Sequence, residues 1–365
     1  MRKYPILKGF IFLLNIIAAI LLAMVLLASY IPPSEFAVFS IIALVYPILL
    51  FINLLFIGFW IAIKSKYWLI SFVLIILGFN NLRNNFQTNL NGNYDKSADD
   101  IKIVTYNVQL FSTNKMGKDS MVLKNNIVNF LKEEKANIIC LQEYHSMDRN
   151  VYMPLIDLNS SLLQNSYYYE SYFNPRFDQL SGLVIFSKFK AVNKGKLKFP
   201  GSRTFGIYTD LIIDHDTVRV FNIHLASIRL QESDIGFVLN PDFNDQKSFT
   251  KQSATIYAKL TDAFVLRELQ MNNVISSINS CPYPIILCGD FNDTPSSYVY
   301  TSLNKHLTDT FIIKGSKLSR TYAGNIPFLR IDYIFTSKHF KVNYFERVKK
   351  NYSDHFPLIS IISKP

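Results

Sequence analysis

The sequence is poor in cysteine, with three in 365 residues: Cys140, Cys281 and Cys288. So sparse and odd a set gives no disulfide framework, and no zinc-site spacing is present. Cys140 and Cys288 sit in apolar runs and read as buried thiols, while Cys281 reads as a loop residue. Internal repeats and low-complexity tracts are also missing, which sets aside solenoids and fibrous arrays. No small-residue cleavage site follows the first apolar run, and the run is long, so it does not read as a removed signal peptide. Acidic residues are outnumbered: 38 Lys and Arg against 27 Asp and Glu give a net charge of +11. Such an excess favours anionic partners, whether phosphate, nucleic acid or anionic lipid. Part of it merely flanks the apolar segments, and no dense basic run occurs downstream, so charge alone does not indicate nucleic acid.

What the chain has in abundance is apolar residues, concentrated in residues 1–80, which read as a membrane anchor. Residues 7–31 and 36–63 are each long enough to cross a bilayer. Residues 67–79 are shorter and read either as a third crossing extended by its flanks or as a re-entrant or interfacial segment. Arg2, Lys3 and Lys8 precede the first segment, Glu35 follows it, and Lys64 and Lys66 lie between the second and third. Counted by the positive-inside tendency, the N-terminus and the Lys64–Lys66 loop are cytoplasmic. If residues 67–79 cross, everything after about Asn80 is extracytoplasmic; if they do not, it is cytoplasmic. The expectation is a multi-pass integral membrane protein with an extracytoplasmic domain.

Residues 81–100 are rich in Asn, Asp, Gly and Ser and read as a linker. From Ile101 to residue 365 the chain reads as soluble α/β. Strands are expected at 101–108, 138–141, 183–187, 207–213, 218–224, 285–289, 331–336 and 358–362. Helices are expected at 118–134 and 253–279, where apolar residues recur every three to four positions, and Asp119 or Ser120 can cap the first. Residues 231–251 read as an irregular polar insertion with scattered aromatics. An early β-α-β followed by closely spaced strands predicts two packed sheets with outer helices.

Polar residues capable of chemistry stand at the strand ends. The sharpest run is Pro284 to Pro295, where an apolar strand ends in Gly289-Asp290-Phe291-Asn292. Alternate strand residues share a face, so Asp290 and Asn292 can enter one pocket. Others are Asn107 after the first strand, Glu143 after the second, His224 after Asn222-Ile223, Asp332 after Arg330-Ile331, and the pair Asp354-His355. Singly, each has an ordinary use: a turn Asn, a solvated Glu, an Asp paired with Arg330. Together they supply oxygen ligands suited to a hard cation such as Mg²⁺ or Mn²⁺. Two histidines can bind an anion or stabilise charge developing on it, and a carboxylate can orient and deprotonate water. These are the parts needed to hydrolyse a phosphate ester with a metal.

The ordered set Thr105-Tyr106-Asn107, Leu141-Gln142-Glu143, Gly182 to Ser187, Asn222-Ile223-His224-Leu225, Gly289-Asp290-Phe291-Asn292, Arg330-Ile331-Asp332-Tyr333 and Ser353-Asp354-His355 resembles the endonuclease/exonuclease/phosphatase superfamily. Deoxyribonuclease I-like nucleases, apurinic endonucleases, neutral sphingomyelinases and inositol polyphosphate 5-phosphatases belong to it. The likeness covers about Ile101 to Ser363 and implies a four-layer α/β sandwich of two packed mixed sheets flanked by helices. It implies Glu143 as principal metal ligand with Asn107 beside it, and Asp354 either at a second metal position or in the polar network. Asp290 would orient or activate water, and Asn292 would bind the phosphate. His355 would contact the scissile phosphate, with Asp332 accepting its ring hydrogen bond. His224 would be the second phosphate-binding histidine and a candidate leaving-group acid. Apurinic endonucleases usually carry tyrosine at the His224 position, so the chain looks more like the deoxyribonuclease I, sphingomyelinase and deadenylase branches. Arg267 and Gln270 on the long helix are either sheet-facing or solvated. The insertion with Phe237, Phe243 and Phe249 lies where a substrate-covering loop would sit.

The expected function is therefore a membrane-anchored, Mg²⁺- or Mn²⁺-dependent phosphoesterase or phosphodiesterase. Its partners are the bilayer and a phosphate-ester substrate, a lipid headgroup or nucleic acid, with no obligate protein partner inferred. The alternative is a non-catalytic, membrane-tethered binding module on the same fold.

Overall fold

The computed structural model describes residues 5–89, 94, 97, 99–111, 120–144, 155–174, 179–199, 201–202, 204–318, 320–324, 326 and 328–364. Five helices come first: α1 (Pro5–Ala28), α2 (Pro33–Ala43), α3 (Tyr46–Ala62), α4 (Trp68–Leu77) and α5 (Phe79–Asn85). Then follow β1 (Phe86–Thr88), β2 (Ile101–Asn107), α6 (Ser120–Glu134), β3 (Ile138–Tyr144), α7 (Leu155–Ser161), β4 (Ser166–Asn174), β5 (Gln179–Ser187), β6 (Lys190–Lys198), β7 (Phe205–Ile213) and β8 (Asp216–His224). The chain continues through α8 (Glu232–Leu239), α9 (Gln246–Asn279), β9 (Ile285–Asp290), α10 (Tyr298–Asn304), β10 (Thr308–Asp309), α11 (Thr310–Lys314) and β11 (Ser316–Leu318). It ends with β12 (Asp332–Thr336), β13 (Lys341–Arg347) and β14 (Leu358–Ser363). Two compact units result. The helical unit is Met1–Asn85, Ser227–Glu268 and Asp293–Thr301; the β-rich unit is Phe86–Ala226, Leu269–Asn292 and Ser302–Pro365.

Among the described residues α1 is the one single helix long and apolar enough to cross a membrane, and the bent pair α2–α3 would be a second if it acts as one span. The expected second crossing, residues 36–63, is instead the pair α2–α3, bent by 60°. Pro47 lies in the first turn of α3. It has no N–H to continue a helix from α2, so a new helix starts there. The expected third segment forms the ten-residue α4. α1, α3 and α4 are joined by a buried hydrogen-bonded chain. Trp60 Nε1 donates to Asn15 Oδ1 (2.8 Å), Asn15 Nδ2 to Ser71 Oγ (2.8 Å), and Ser71 Oγ to Asn53 Oδ1 (2.8 Å). Lys8 and Phe12 lie against Tyr67, while Ser29 at the far end of α1 lies against Asn81. α4 and α5 therefore follow the direction of α1. The bundle interior mixes small and polar residues with Leu22, Val25, Tyr46, Leu49 and Trp60, while many further large apolar residues lie outside. Ala18, Ala19 and Asn15 are buried, whereas Phe10, Leu13, Ile20, Phe51, Leu55 and Leu77 are exposed.

The β-rich unit holds two six-stranded sheets, in the orders β13-β14-β2-β3-β5-β4 and β10-β12-β9-β8-β7-β6. Both are mixed, with β2–β3 and β8–β9 parallel. Alternation sets one face of each sheet inward. Ile103, Cys140 and Ile185 of one sheet share a core with Val220, Ile286, Cys288 and Ile334 of the other. The outer face of the first sheet (Val104, Tyr106, Ile139, Leu141) packs on Ile127, Val128 and Leu131 of α6. The arrangement is that of the expected sandwich.

Several local expectations change. The linker assigned to residues 81–100 is partly structured: Asn81 to Asn85 continue α5, and β1 pairs antiparallel with β11. The insertion 231–251 is not irregular. It forms α8 and the first turns of α9, and the Gln231 N–H donates to Asp234 Oδ2 at the start of α8 (2.7 Å). The capping candidate Asp119 lies outside the described residues, and α6 begins at Ser120.

Candidate active site

Strand register brings the polar ends together. His224 pairs with Asp290 across β8–β9, and Asp332 pairs with Asp290 across β12–β9. In the facing sheet, Asn107 ends β2 beside Gln142 of β3. Along the inward faces the side chains grade from apolar to polar. Cys140 and Cys288 lie in the core, then come Thr105, Gln142 and Asn222, and then Asn107, His224 and Asp290. The middle layer is hydrogen-bonded between sheets. Gln142 Nε2 donates to Asn222 Oδ1 (2.7 Å) and Thr105 Oγ1 (3.0 Å), and Asn222 Nδ2 donates to the Leu141 and Val184 carbonyls.

Asp290 is the hub. Its Oδ2 accepts from Asn107 Nδ2 at 3.0 Å and lies 3.7 Å from Nε2 of both His224 and His355. Its Oδ1 accepts the Asn292 N–H at 2.8 Å. Gly289 makes this turn possible: at φ +154 it lies so near the neighbouring strand that a Cβ would meet the Ile223 carbonyl oxygen at 2.1 Å. Asn292 follows at φ +52, a left-handed conformation that Asn tolerates, and its Nδ2 donates to the Leu225 carbonyl. Glu143 sits at φ +51 where the β3–β5 register shifts, with Oε1 3.7 Å from His224 Nε2. The bulge re-aims its side chain toward the cleft.

His355 Nδ1 is held by Asp332, 2.9 Å from Oδ2. This fixes the imidazole and leaves Nε2 facing Asp290 and, at 3.9 Å, Asp354. Burial alone would lower the His355 pKa, but Asp332, Asp290 and Asp354 together hold it well above the ordinary histidine value. Burial raises the Asp290 pKa, and Asp332 adds to the rise; the two histidines and the Asn292 N–H oppose it. The Glu143 pKa is raised by burial, with His224 opposing and Asp354 adding. His224 is buried, yet neither ring nitrogen has a hydrogen-bond partner among the described residues.

All the residues expected at the site, Glu143, Asn107, Asp290, Asn292, His224, Asp332, Asp354 and His355, thus belong to one cluster. Asn107 turns its Oδ1 to the Gln109 N–H and its amide nitrogen to Asp290. Asp332 receives His355 Nδ1, while Arg330 pairs with Asp309 at 2.7 Å.

The cluster fits a divalent cation. Four carboxylates of like charge come together, Asp290 and Asp332 buried and Glu143 and Asp354 partly exposed, and hard oxygen donors suit Mg²⁺ or Mn²⁺. Asp290, Asp332 and His355 each place one ligand-type atom within 4.8 Å of the others. The Asp332–His355 hydrogen bond, however, commits Nδ1 of that trio to positioning the ring.

Comparison with protein families decides the classification: the endonuclease/exonuclease/phosphatase family matches residues 104–355. The chain belongs to this family. Members of the endonuclease/exonuclease/phosphatase family are generally hydrolases acting on phosphate esters and typically use divalent metals. Residues 8–85 match a second family, described as a domain of unknown function. No curated protein matches. Among solved structures, the chain is similar to the human Nocturnin catalytic domain with bound sulfate (17% identity, TM-score 0.53, covering 75% of this chain and 97% of that one). It is also similar to an endonuclease/exonuclease/phosphatase family protein from Bacteroides thetaiotaomicron (16%, 0.52, 74% and 100%). A third is D. rerio TDP2 humanized by 14 mutations (15%, 0.50, 73% and 100%). At these identities the likeness is one of fold.

Sequence reasoning left several supports unassigned. Gln270 is buried; its Oε1 accepts the Ala226 N–H and its Nε2 donates to Ser202 and Thr204, fixing the turn that leaves His224. Arg267 is fully buried beside Asp293 in the helical unit, 3.5 Å away. A charged residue on the apolar face of a long helix was the signal for it. Gln142 and Asn222 were visible only as letters inside the motifs that contain them.

Proposed function

We propose that this chain is a membrane-anchored, divalent-metal-dependent phosphoesterase or phosphodiesterase. The observation that carries the reading is Asp290 with a histidine Nε2 on either side at 3.7 Å, one of them held by Asp332. An acid between two histidines suits water attack on an anion. Glu143, Asn107 and Asp354 would hold the cation, which when bound supplies charge neutralisation at the phosphate. Asp290 orients the attacking water and takes its proton. Asn292 and the two histidines bind the phosphate oxygens. The raised His355 pKa keeps a proton on Nε2 for the charge that develops there. His224 is buried with no hydrogen bond to either ring nitrogen among the described residues, which suits a phosphate oxygen and then the leaving group. A binding module would not need an acid held between two histidines.

The membrane reading is supported by the packing of the helical unit. A soluble bundle leaves few large apolar residues exposed; this one buries Leu22, Val25, Tyr46 and Trp60 yet exposes Phe10, Ile20, Phe51, Leu55 and Leu77, with Asn15, Asn53 and Ser71 bonded inside. That distribution suits lipid, where small and polar residues fasten helices from within. Lys8, Lys64 and Lys66 lie toward one end, because Lys8 stacks on Tyr67. Taken with the positive-inside tendency, this favours a multi-pass anchor with Phe86 onward extracytoplasmic. There the substrate is a lipid headgroup or a nucleic acid.

The test uses full-length protein in detergent, with bis-p-nitrophenyl phosphate and Mg²⁺ or Mn²⁺. Turnover is expected, and Asp290→Ala should lose about 10²- to 10⁴-fold of it. No wild-type turnover under either metal would reject the hydrolase. A panel of sphingomyelin, phosphatidyl lipids, inositol phosphates, DNA and RNA then assigns the substrate class.

A further inference from the structure

We propose that Thr321 is the positioning residue for the Asp332–His355 pair, setting the distance at which the acid holds the imidazole. The inference rests on the reading of His355 as a phosphate contact. Every residue it uses lies in the β-rich unit. Asp332 opens β12 in one sheet, whereas His355 precedes β14 in the other. β12 pairs with β10 and β9, and β14 with β13 and β2. Strand register alone therefore does not fix the 2.9 Å between His355 Nδ1 and Asp332 Oδ2. Thr321 is bonded to both sides. Its Oγ1 accepts the N–H of Ile331 (2.9 Å) and of Asp332 itself (3.1 Å). Its carbonyl accepts the N–H of Phe356 (2.7 Å), the residue after His355. Next in the chain, Tyr322 forms an antiparallel bridge with His355, and the Ala323 N–H donates to the Asp354 carbonyl (2.6 Å).

The clip is closed on itself and continues toward Asp290. Thr321 donates its own N–H to the Leu329 carbonyl (2.9 Å), and the Ile331 carbonyl accepts the N–H of Phe291 (2.8 Å), the residue after Asp290. Backbone N–H groups at the start of a buried strand need an acceptor, and here one hydroxyl oxygen serves two of them. Thr321 is 0% exposed and Asp332 2%, so water does not compete for these bonds. Without the oxygen both N–H groups are desolvated and unmatched, and the start of β12 must shift to find partners. That shift carries Asp332 with it. A hydrogen bond weakens steeply as its angle and length depart from the optimum, so His355 Nδ1 loses its hold. The hydroxyl bonds the backbone of Asp332, not its carboxylate, so Thr321 acts through the pair.

The experiment compares the full-length chain in detergent with Thr321→Val, Thr321→Ser, Asp332→Asn and the Thr321→Val/Asp332→Asn double variant. Steady-state kinetics on bis-p-nitrophenyl phosphate with Mg²⁺ or Mn²⁺ are run below the lowest thermal midpoint of the set. Valine keeps the shape of threonine and removes the acceptor. Thr321→Val should lose roughly 10- to 100-fold in kcat, in the range that a small misplacement of a reacting group produces, with KM changed less. Thr321→Ser, which keeps the oxygen, should recover most of the loss. In the Asp332→Asn background the valine should cost little more, because both changes act on one bond. Should Thr321→Val fail to fold, Thr321→Ala, which leaves room for a water at the vacated oxygen, carries the same comparisons. A lowered midpoint with wild-type kcat, a serine variant as slow as the valine one, or full additivity with Asp332→Asn overturns the proposal. Absence of wild-type turnover is a separate failure: it removes the phosphate reading of His355, and the positioning role falls with it.

Discussion

At the scale of single residues, the Asp332–His355 pair makes a claim about pH. Burial opposes the raised His355 pKa, and Asp332 is foremost among the groups that raise it, so losing Asp332 should bring the pKa down. Asp332→Asn should therefore move the alkaline limb of the pH–kcat profile toward lower pH; an unmoved limb would show that His355 is not the group that titrates. The same raised pKa links to stability. Its contribution is fully present below the unfolded histidine value of about 6.5 and is lost as pH rises through the folded value. Glu143→Gln keeps shape and removes charge. It should weaken the response of activity to Mg²⁺ by roughly 10-fold or more while the thermal midpoint changes little, as expected for a ligand of a hard cation. Normal metal response in this variant would remove Glu143 from the cation site.

These residues were legible because each stands beside the start or the end of an apolar strand, and because order along the chain is itself informative. Asp290 and Asn292 stood out through the glycine before them. What the letters did not carry was partnership. Asp332 had a plausible neighbour in Arg330, and only the pairing of β10 with β12 shows that Arg330 answers Asp309 instead. Gln142 and Asn222 meet across 80 positions of sequence, and nothing local announces the bond.

At the scale of elements, the amide layer ties the two sheets together beneath the polar cluster. Asn222→Leu would strand the Gln142 amide and the Leu141 and Val184 carbonyls at their present positions. A loss of about 1–3 kcal/mol is expected, read as a lower midpoint in thermal unfolding. An unchanged midpoint would mean that water or a neighbour replaces the bonds. Asn15→Leu makes the parallel case in the helices, where Asn15 accepts from Trp60 and donates to Ser71. Double-mutant cycles in membrane bundles put such bonds near 0.6 kcal/mol, so a loss of about 1 kcal/mol is expected. Periodicity gave the eight central strands of the two sheets and both long helices. It missed β6, whose lysines at 190, 194, 196 and 198 look like loop surface. Lysine on an edge strand is a device against edge-to-edge pairing, and β6 is the edge of its sheet. It also missed β1, because that strand exists only by pairing with residues more than 200 positions later.

At the scale of the whole molecule, the crowded carboxylates predict how metal and pH act together. Asp290 and Glu143 have raised pKa values, so the folded protein binds protons there more tightly than the unfolded chain and these two groups add stability as pH falls. A cation needs them ionised. Mg²⁺ at 100 times its dissociation constant should add about 2.7 kcal/mol. The resulting rise in thermal midpoint should be larger at pH 7 than at pH 5. Equal rises at both pH values would place the ion elsewhere. A reporter fused after Asn85 should be active outside the cytoplasm, and activity confined to the cytoplasm would reverse the topology.

The helical unit is discontinuous in sequence: its last piece, Asp293–Thr301, emerges from the ribosome some two hundred residues after α5. Ser29 and Asn85, whose side chains bond Ser296, must then wait for it through the synthesis of β1 to β9. During translation the N-terminal helices are an unfinished receptor for a segment of their own chain. A nascent polypeptide halted before residue 293 should accordingly leave the α1–α2 corner and α5 open to protease or thiol labelling, and one released after residue 301 should close them.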